Sequence, residues 1–261
     1  MNSMSHYIDL RGHAVWTSEW ANNGDALLLL HGGLSATEDF DTYLLPAVEG
    51  THHVFAYDRT AHGRTGDRPG SLHFEFQRDE AIQFLEDFVK GPAHLIGYSD
   101  GGIIALLVAL KRPELVKSIV AIGTNYHYNY GGDPVQPWEP SDEDRLEHKL
   151  RSPDAPESLD SKNERMRNIW NSEPTLTKKD LEKIVCPTLI LAGDDEGFSF
   201  EHTTSMYEAL PYGQLAIIPG TSHHSLKEKP ELVQMVIRGF LVDLTPPVTR
   251  QPFRRYNENF I

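Results

Sequence analysis

The sequence contains a single cysteine, Cys186, among 261 residues. One cysteine cannot form a disulfide within the chain, so a fold held together by disulfides is excluded, and a reducing compartment is favoured. No basic segment followed by an apolar stretch occurs near the start, so the sequence predicts no secretory signal. We therefore expect a cytoplasmic protein.

Positive charge and long apolar runs are also scarce. The 24 Lys and Arg residues are outnumbered by 38 Asp and Glu residues, which gives a formal net charge of −14. Nucleic acid requires a basic binding surface, so we expect no nucleic-acid partner. The acidic field favours neutral or cationic small molecules over anionic ones. Because no run of about 18 apolar residues is present, we expect no membrane-spanning segment and no membrane partner.

Patterns typical of metal and nucleotide sites are missing as well. The 13 histidines do not combine with cysteine or clustered carboxylates at metal-ligand spacing. No Gly-x-Gly-x-x-Gly string follows an apolar run, so a dinucleotide site is not indicated. We therefore expect neither a metal nor a cofactor.

The most informative stretch that is present is Gly97-Tyr98-Ser99-Asp100-Gly101-Gly102, which lies between two apolar runs. A strand that turns sharply into a helix holds such a serine in a strained backbone conformation, and only small flanking residues leave room for the turn. The hydroxyl is then exposed at the tip, where the N-terminus of the helix favours a developing oxyanion. Ser99 is therefore the predicted nucleophile.

A second apolar run, residues 26–30, ends in His31-Gly32-Gly33-Leu34. A short continuous apolar run predicts a strand buried on both faces. A glycine pair at its end lets the backbone approach a ligand closely. The amide of Gly33, with that of Leu34 as the alternative, is predicted to form an oxyanion hole together with the amide of Asp100.

Two later apolar runs, residues 187–192 and 215–218, precede the remaining candidates. The first leads into three consecutive carboxylates, Asp194, Asp195 and Glu196, and the second into His223-His224. Serine, then acid, then histidine is the order of a catalytic triad on one particular hydrolase fold.

These segments, together with Tyr57-Asp58-Arg59-Thr60-Ala61-His62-Gly63, resemble the α/β-hydrolase superfamily over nearly the whole chain. The Tyr-Ser-Asp-Gly-Gly context is similar to a subset that includes valacyclovir-hydrolase-like and other small-ester hydrolases. The resemblance implies an α/β fold with a mostly parallel eight-stranded sheet flanked by helices and a helical cap inserted after strand six.

The resemblance also ranks the triad candidates. It favours His223 over His224 as the base, and it places the acid at Glu196, where aspartate is commoner in the family. Glutamate can accept the hydrogen bond from the histidine, but its extra methylene requires a different placement of the loop. Asp195 is the second choice for the acid and Asp194 the third.

The domain organisation implied by the resemblance has a core formed by residues 1–125 and 184–244. Residues 126–183, which lack strand-like alternation, would form the cap, and residues 245–261 a C-terminal extension. Tyr126, Tyr128 and Trp170 are candidates for the substrate pocket, with the alternative that they only pack the cap onto the core.

The side chain of Asp100 has two interpretations. It either caps the helix that begins beside it or binds a cationic or hydroxyl group of the substrate. Because aspartate is a preferred residue in the first turn of a helix, the sequence favours the cap.

The resemblance implies a serine hydrolase that cleaves a carboxylic ester or lactone through an acyl-enzyme intermediate. Its partner would be a small-molecule ester or lactone, and it would be a monomer or a homodimer. Two alternatives remain open: a carbon-carbon bond or amide hydrolase on the same triad, and a ligand-binding sensor with a weakly active triad.

Overall fold

A computed structural model describes residues 4–247 and 249–251, and within them eight strands form one sheet. The strands are β1 (Met4–Leu10), β2 (His13–Trp20), β3 (Ala26–Leu30), β4 (His53–Tyr57), β5 (Ala93–Tyr98), β6 (Val116–Ile122), β7 (Thr188–Asp195) and β8 (Gly213–Ser222). Their order across the sheet is β1-β2-β4-β3-β5-β6-β7-β8. The pairs β1/β2 and β2/β4 are antiparallel and the other pairs are parallel. The predicted mostly parallel, eight-stranded sheet is confirmed.

The middle strands are mostly apolar because both of their faces are covered. In β3, Leu28 and Leu30 enter one hydrophobic core, while Leu27 and Leu29 enter a second core on the opposite face of the sheet. All four leucines have 0% exposure. Alternation of side chains along a strand therefore turns one continuous apolar run into two separate cores.

Helices cover both faces of the sheet. They are α1 (Phe40–Tyr43), α2 (Phe74–Phe84), α3 (Asp100–Lys111), α4 (Asp142–Arg151), α5 (Ser158–Trp170), α6 (Lys178–Leu181), α7 (Phe200–Ala209), α8 (Ser225–Glu228) and α9 (Pro230–Val242). Apolar residues of α2, α3 and α7 belong to the core that contains Leu28. Those of α1, α8 and α9 belong to the core that contains Leu27.

The segment between β6 and β7 contains three helices, α4 to α6. Helix α4 has no buried residue, whereas α5 buries Met166 and Ile169 against the core on the α2/α3 side. The segment therefore rests on the rest of the molecule mainly through α5.

None of the helices within residues 4–247 and 249–251 is both long enough and apolar enough to cross a membrane. Most of the predicted C-terminal extension, residues 245–261, lies outside the described residues. The described part of it, 245–247 and 249–251, contains neither helix nor strand.

Candidate active site

Ser99 lies at the sharp turn between β5 and α3. Its backbone has φ 53° and ψ −117°, which is a conformation that non-glycine residues rarely adopt. A side chain on Gly97 would collide with the backbone of Gly101 and Gly102, and one on Gly101 would collide with the carbonyl of Leu30. The glycines on either side of Ser99 are therefore required by the close packing of α3 on β5 and β3.

His223 follows β8 and lies between Ser99 and Glu196. Its Nε2 is 3.1 Å from the Ser99 Oγ, and its Nδ1 is 3.0 Å from the Glu196 Oε2. An ionised carboxylate can only accept, so Nδ1 donates to Glu196. In the neutral ring Nε2 is then the acceptor, and it can receive the hydroxyl proton of Ser99.

Of the three candidate acids, the structure brings Glu196 to the histidine. The Glu196 side chain is 4% exposed, whereas Asp194 and Asp195 are exposed at the end of β7. Asp194 accepts a hydrogen bond from the backbone amide of Thr221 instead. Glu196 lies one residue beyond β7, where the chain has left the strand and its side chain can turn toward His223.

Gly123, at the end of β6, leaves room for this pair. It has φ 56°, and a Cβ atom there would lie 3.1 Å from the His223 Nδ1 and 3.3 Å from the Glu196 Oε1. A side chain at this position would push the acid and the base apart. The glycine therefore serves both the left-handed turn and the close approach of the two side chains.

The predicted oxyanion residues surround Ser99. Asp100 is the first residue of α3, so its amide has no acceptor within the helix. Gly33, Leu34 and Asp100 line the same cavity as Ser99. A Cβ atom on Gly33 would lie 2.5 Å from the Asp100 Oδ2, so the His31-Gly32-Gly33 turn is packed directly against the start of α3. Which amides bind an oxyanion stays a prediction.

Asp100 lies in the first turn of α3, the position for which the sequence favours a helix cap, but its side-chain hydrogen bonds go elsewhere. Its carboxylate makes no capping hydrogen bond among the described residues and instead accepts from the Trp170 Nε1, which is 3.0 Å from each oxygen. Asp100 is 3% exposed. Burial raises the pKa of Asp100, while the nearby charge of Arg59 and the Trp170 hydrogen bond act in the opposite direction. The carboxylate therefore links the nucleophile turn to α5.

The triad opens into a cavity of about 770 Å³. Its walls combine the turns after β3, β5 and β8 with aromatic residues of the 126–183 segment, namely Tyr130, Trp138 and Trp170. Five carboxylates and one lysine also line it: Asp39, Asp100, Asp144, Glu147, Glu173 and Lys227. Within the described part of the chain, no three His, Cys, Asp or Glu side chains are grouped as a metal ion would require.

Two of the three predicted pocket residues lie elsewhere. Trp170 lines the cavity, but Tyr126 and Tyr128 are not among its described lining residues. Tyr126 stacks on His202 of α7 at 4.2 Å and hydrogen-bonds to the Ser205 Oγ at 3.0 Å, and Tyr128 is 40% exposed. Residues 126–128 are held against residues 174–176 by a β-bridge at His127 and Thr175 and by two flanking backbone hydrogen bonds.

Sequence reasoning missed Tyr130 and Trp138, although both are aromatic residues of the same segment. It also assigned no specific contact to Arg59, which is fully buried beneath the His31-Gly32-Gly33 turn. The only available signal was the position of Arg59 in the segment that follows β4.

The chain is similar to known hydrolases in sequence and in fold. The chain is 26% identical over 235 residues to an AB hydrolase superfamily protein of Gibberella zeae, a match that covers 84% of this chain and 80% of the relative. It is 25% identical over 253 residues to the (E)-2-((N-methylformamido)methylene)succinate hydrolase of Acinetobacter baylyi, covering 85% and 92%. The crystal structure of a serine hydrolase involved in carbazole degradation, the CarC enzyme, matches with a TM-score of 0.76 at 19% identity, covering 92% and 99%.

A model of the alpha/beta hydrolase family matches residues 27–233, which span from β3 into α9 and include Ser99, Glu196 and His223. The fold of the solved structure agrees with this match. The chain therefore belongs to the alpha/beta hydrolase family.

Proposed function

We propose that the protein is a serine hydrolase that cleaves a carboxylic ester or lactone through an acyl-enzyme intermediate. The observation that carries the proposal is the continuous hydrogen-bond series from Glu196 through His223 to Ser99, with distances of 3.0 and 3.1 Å, at the wall of a large cavity. A nucleophile in contact with a base, which is itself oriented by a third group, is the arrangement of covalent acyl transfer.

In the proposed reaction, the Ser99 Oγ attacks the carbonyl carbon while His223 Nε2 accepts its proton. Glu196 keeps the histidine in the required tautomer and stabilises the imidazolium that forms. The amides of Gly33 and Asp100 stabilise the negative charge on the carbonyl oxygen. The alcohol leaves with the proton from His223, and water then repeats the sequence to release the acid.

We propose that residues 126–183 act as a cap that selects the substrate. Trp138 and Trp170 stack with ring centroids 6.1 Å apart and supply an apolar wall. A cavity of about 770 Å³ is large enough for a small organic ester. Its five carboxylates and one lysine favour a neutral or cationic substrate.

Amide hydrolysis on the same triad is the second candidate. It is favoured by the match to the Acinetobacter baylyi enzyme, whose name describes a substrate with a formamido group on a succinate. A succinate carries two carboxylates, which the acidic lining of this cavity would repel. Any amide substrate of this protein is therefore expected to differ in charge from that compound.

The first test is the intact mass of the protein after incubation with a fluorophosphonate. A single adduct on the wild type that is absent from Ser99→Ala and His223→Ala supports an activated serine. Absence of the adduct on the folded wild type would overturn the proposal.

The substrate class is tested with a matched pair of esters, acetylcholine and its uncharged isostere 3,3-dimethylbutyl acetate. We expect kcat/KM to be about tenfold higher for the cationic ester at low salt. The advantage should shrink as ionic strength rises, because salt screens charges that are reached through solvent. Equal values for the two esters would contradict the charge preference.

A further inference from the structure

Arg59 is fully buried, and its guanidinium is bonded to the backbone of the turn that precedes Gly33. One terminal nitrogen donates to the carbonyl of His31 and the other to the carbonyl of Gly32, both at 2.8 Å. The planar fork of an arginine can hold two carbonyls at once, which a lysine ammonium cannot do in the same way. Arg59 thus fixes two consecutive peptide units of this turn.

The His31 side chain donates a second hydrogen bond to the carbonyl of Gly32. The backbone amide of Arg59 donates to the His31 Nε2 at 3.1 Å, so Nε2 is the acceptor and Nδ1 carries the proton. Nδ1 then donates to the carbonyl of Gly32 at 2.7 Å. Burial lowers the pKa of His31 well below its ordinary value, which keeps the ring in this neutral form. The Gly32 carbonyl therefore has two donors, both on the buried side of the turn.

The orientation of this carbonyl decides the orientation of the next amide. The carbonyl of Gly32 and the N–H of Gly33 belong to one planar trans peptide, so they point in opposite directions. The carbonyl points to the fully buried Arg59, while Gly33 lines the cavity. The N–H of Gly33 is accordingly turned away from the Arg59 guanidinium.

We propose that Arg59 is a positioning residue of the oxyanion hole: by holding the carbonyls of His31 and Gly32 inward, it directs the Gly33 amide at the carbonyl oxygen of the substrate. The proposal rests on the proposed function for the role of that oxygen, but the orientation of the peptide can be tested without any turnover. The Arg59 side chain does not line the cavity, so it acts through the turn and does not touch the substrate.

The test uses Arg59→Met, which removes both donors, and Arg59→Gln, which keeps one amide donor. We expect Arg59→Met to lower kcat about 100-fold, the loss typical of one oxyanion donor. The inhibition constant of an alkyl trifluoromethyl ketone, which forms an oxyanion on Ser99, should rise by the same factor while KM changes little. The kcat and the inhibition constant of Arg59→Gln should lie between those of Arg59→Met and the wild type. If Arg59 only stabilised the fold, kcat and the affinity for the ketone would not fall by the same factor.

Arg64→Met is the matched control, because Arg64 follows the same strand but pairs with Glu38 and lies over Trp16, away from the His31-Gly32-Gly33 turn. It should leave kcat and the ketone affinity unchanged. Crystal structures of the two Arg59 variants complete the test, since a rotated Gly32–Gly33 peptide is expected in Arg59→Met. If that variant fails to fold, Arg59→Gln decides by the same measurements.

An unrotated peptide together with unchanged kcat would overturn the proposal. If the wild-type serine does not react with the fluorophosphonate but the peptide still rotates in the variant, the positioning role holds and the proposed function fails. The two ideas can therefore fail separately.

Discussion

The sheet with its connecting turns and the 126–183 segment contribute to the same cavity, but different forces hold them in place. The turns that carry Ser99 and His223 leave strands of a sheet whose middle strands are buried on both faces. The 126–183 segment is attached more unevenly: α5 and α6 bury Met166, Ile169 and Leu181 in the core, whereas α4 buries no residue. Burial on both faces of the sheet fixes the turns that carry Ser99 and His223, whereas the 126–183 segment combines burial along one side with hydrogen bonds and ion pairs.

Four polar contacts join the 126–183 segment to the rest of the molecule. The Asp154 carboxylate accepts from the backbone amide of Asp67 at 2.8 Å, and Arg165 forms an ion pair with the Asp67 side chain. Glu173 accepts from the backbone amide of Phe74 at 3.0 Å. The fourth contact is the Trp170–Asp100 hydrogen bond beside the nucleophile. Changes in the sheet should therefore alter kcat for every ester, while changes in the segment should alter stability and KM.

The largest loss of kcat is expected from substitutions of Ser99. Both Ser99→Ala and Ser99→Gly should reduce kcat at least about 10⁴-fold, because the nucleophile is lost. Only glycine relieves the backbone strain at φ 53°, so Ser99→Gly should be more stable than Ser99→Ala by about 1–3 kcal/mol. Urea unfolding of the two variants measures this difference. Equal stabilities would mean that the turn stores no strain.

At the acid, Glu196→Gln should lower kcat about 10³- to 10⁴-fold, because the amide no longer stabilises the imidazolium and does not enforce the tautomer. Asp195→Asn is the matched control, since its exposed side chain lies one residue away and does not reach His223. We expect the control to retain wild-type kcat in steady-state ester hydrolysis. A large loss in the control would return Asp195 to consideration as the acid.

Trp170→Phe tests the link between the two regions. It removes the N–H donor to a buried carboxylate, so the free energy of unfolding should fall by about 1.5–3 kcal/mol at pH 8. The Trp170 bond lowers the pKa of Asp100, so its contribution is present when Asp100 is ionised and is lost as the pH falls through the folded-state pKa of Asp100, which burial places above the ordinary aspartate value.

Urea unfolding between pH 4 and pH 8 measures this dependence. Trp138→Phe is the control, because Trp138 stacks on Trp170 but its indole N–H makes no hydrogen bond to Asp100. The decrease in the free energy of unfolding caused by Trp138→Phe should not vary with pH. A cost for Trp170→Phe that is equally independent of pH would show that Asp100 does not titrate between pH 4 and pH 8 in the folded protein.

A smaller effect is expected at the ion pair between Lys162 and Asp154, whose atoms are 2.6 Å apart. Asp154→Ala leaves the buried Lys162 ammonium without its carboxylate. The free energy of unfolding should therefore fall by about 1–3 kcal/mol. Lys162→Met should cost less, because the remaining Asp154 is only partly buried and can be solvated. In both variants kcat should be retained while KM rises. A loss of kcat in either would contradict the division of roles.

The smallest effects are expected at the tyrosines that lie outside the cavity. Tyr126→Phe removes the hydrogen bond to Ser205, and Tyr128→Phe changes an exposed side chain. Each should change kcat/KM by no more than about twofold. Tyr130→Ala provides the contrast, since Tyr130 lines the cavity. A larger effect at Tyr126 than at Tyr130 would mean that the substrate extends beyond the cavity.

The strands and the order of the site residues could be predicted because each depends on local sequence. Continuous apolar runs mark strands covered on both faces, and small residues around Ser99 mark a tight turn. Apolar residues at roughly helical spacing between Phe74 and Val89 predict a helix, and the structure has α2 followed by one wider turn at Leu85–Val89. The sequence also predicts a helix over residues 163–171, and the corresponding helix, α5, begins earlier, at Ser158.

The contacts that were missed or wrong join residues distant in the sequence. The bond between Asp100 and Trp170 spans 70 positions, and the bonds from Arg59 to the turn before Gly33 span 27 and 28. Local preference favoured a capping role for Asp100, but burial beside α5 gave its carboxylate an indole donor. Helices are expected in the 126–183 segment, but the bounds of α4 are not predicted, although Ser141 and Asp144 form a capping box, a signal that the sequence does contain.

The position of β8 has a consequence for protein synthesis. His223 follows this strand, which lies at one edge of the sheet and pairs with β7, and it is 124 positions beyond Ser99. At about 5–20 residues per second, the ribosome takes roughly 6–25 s to add that stretch. During this interval the proposed nucleophile lacks its proposed base, so the proposed acyl transfer cannot start on the nascent chain. If the proposed triad is correct, hydrolytic activity begins only when the last strand has joined the sheet.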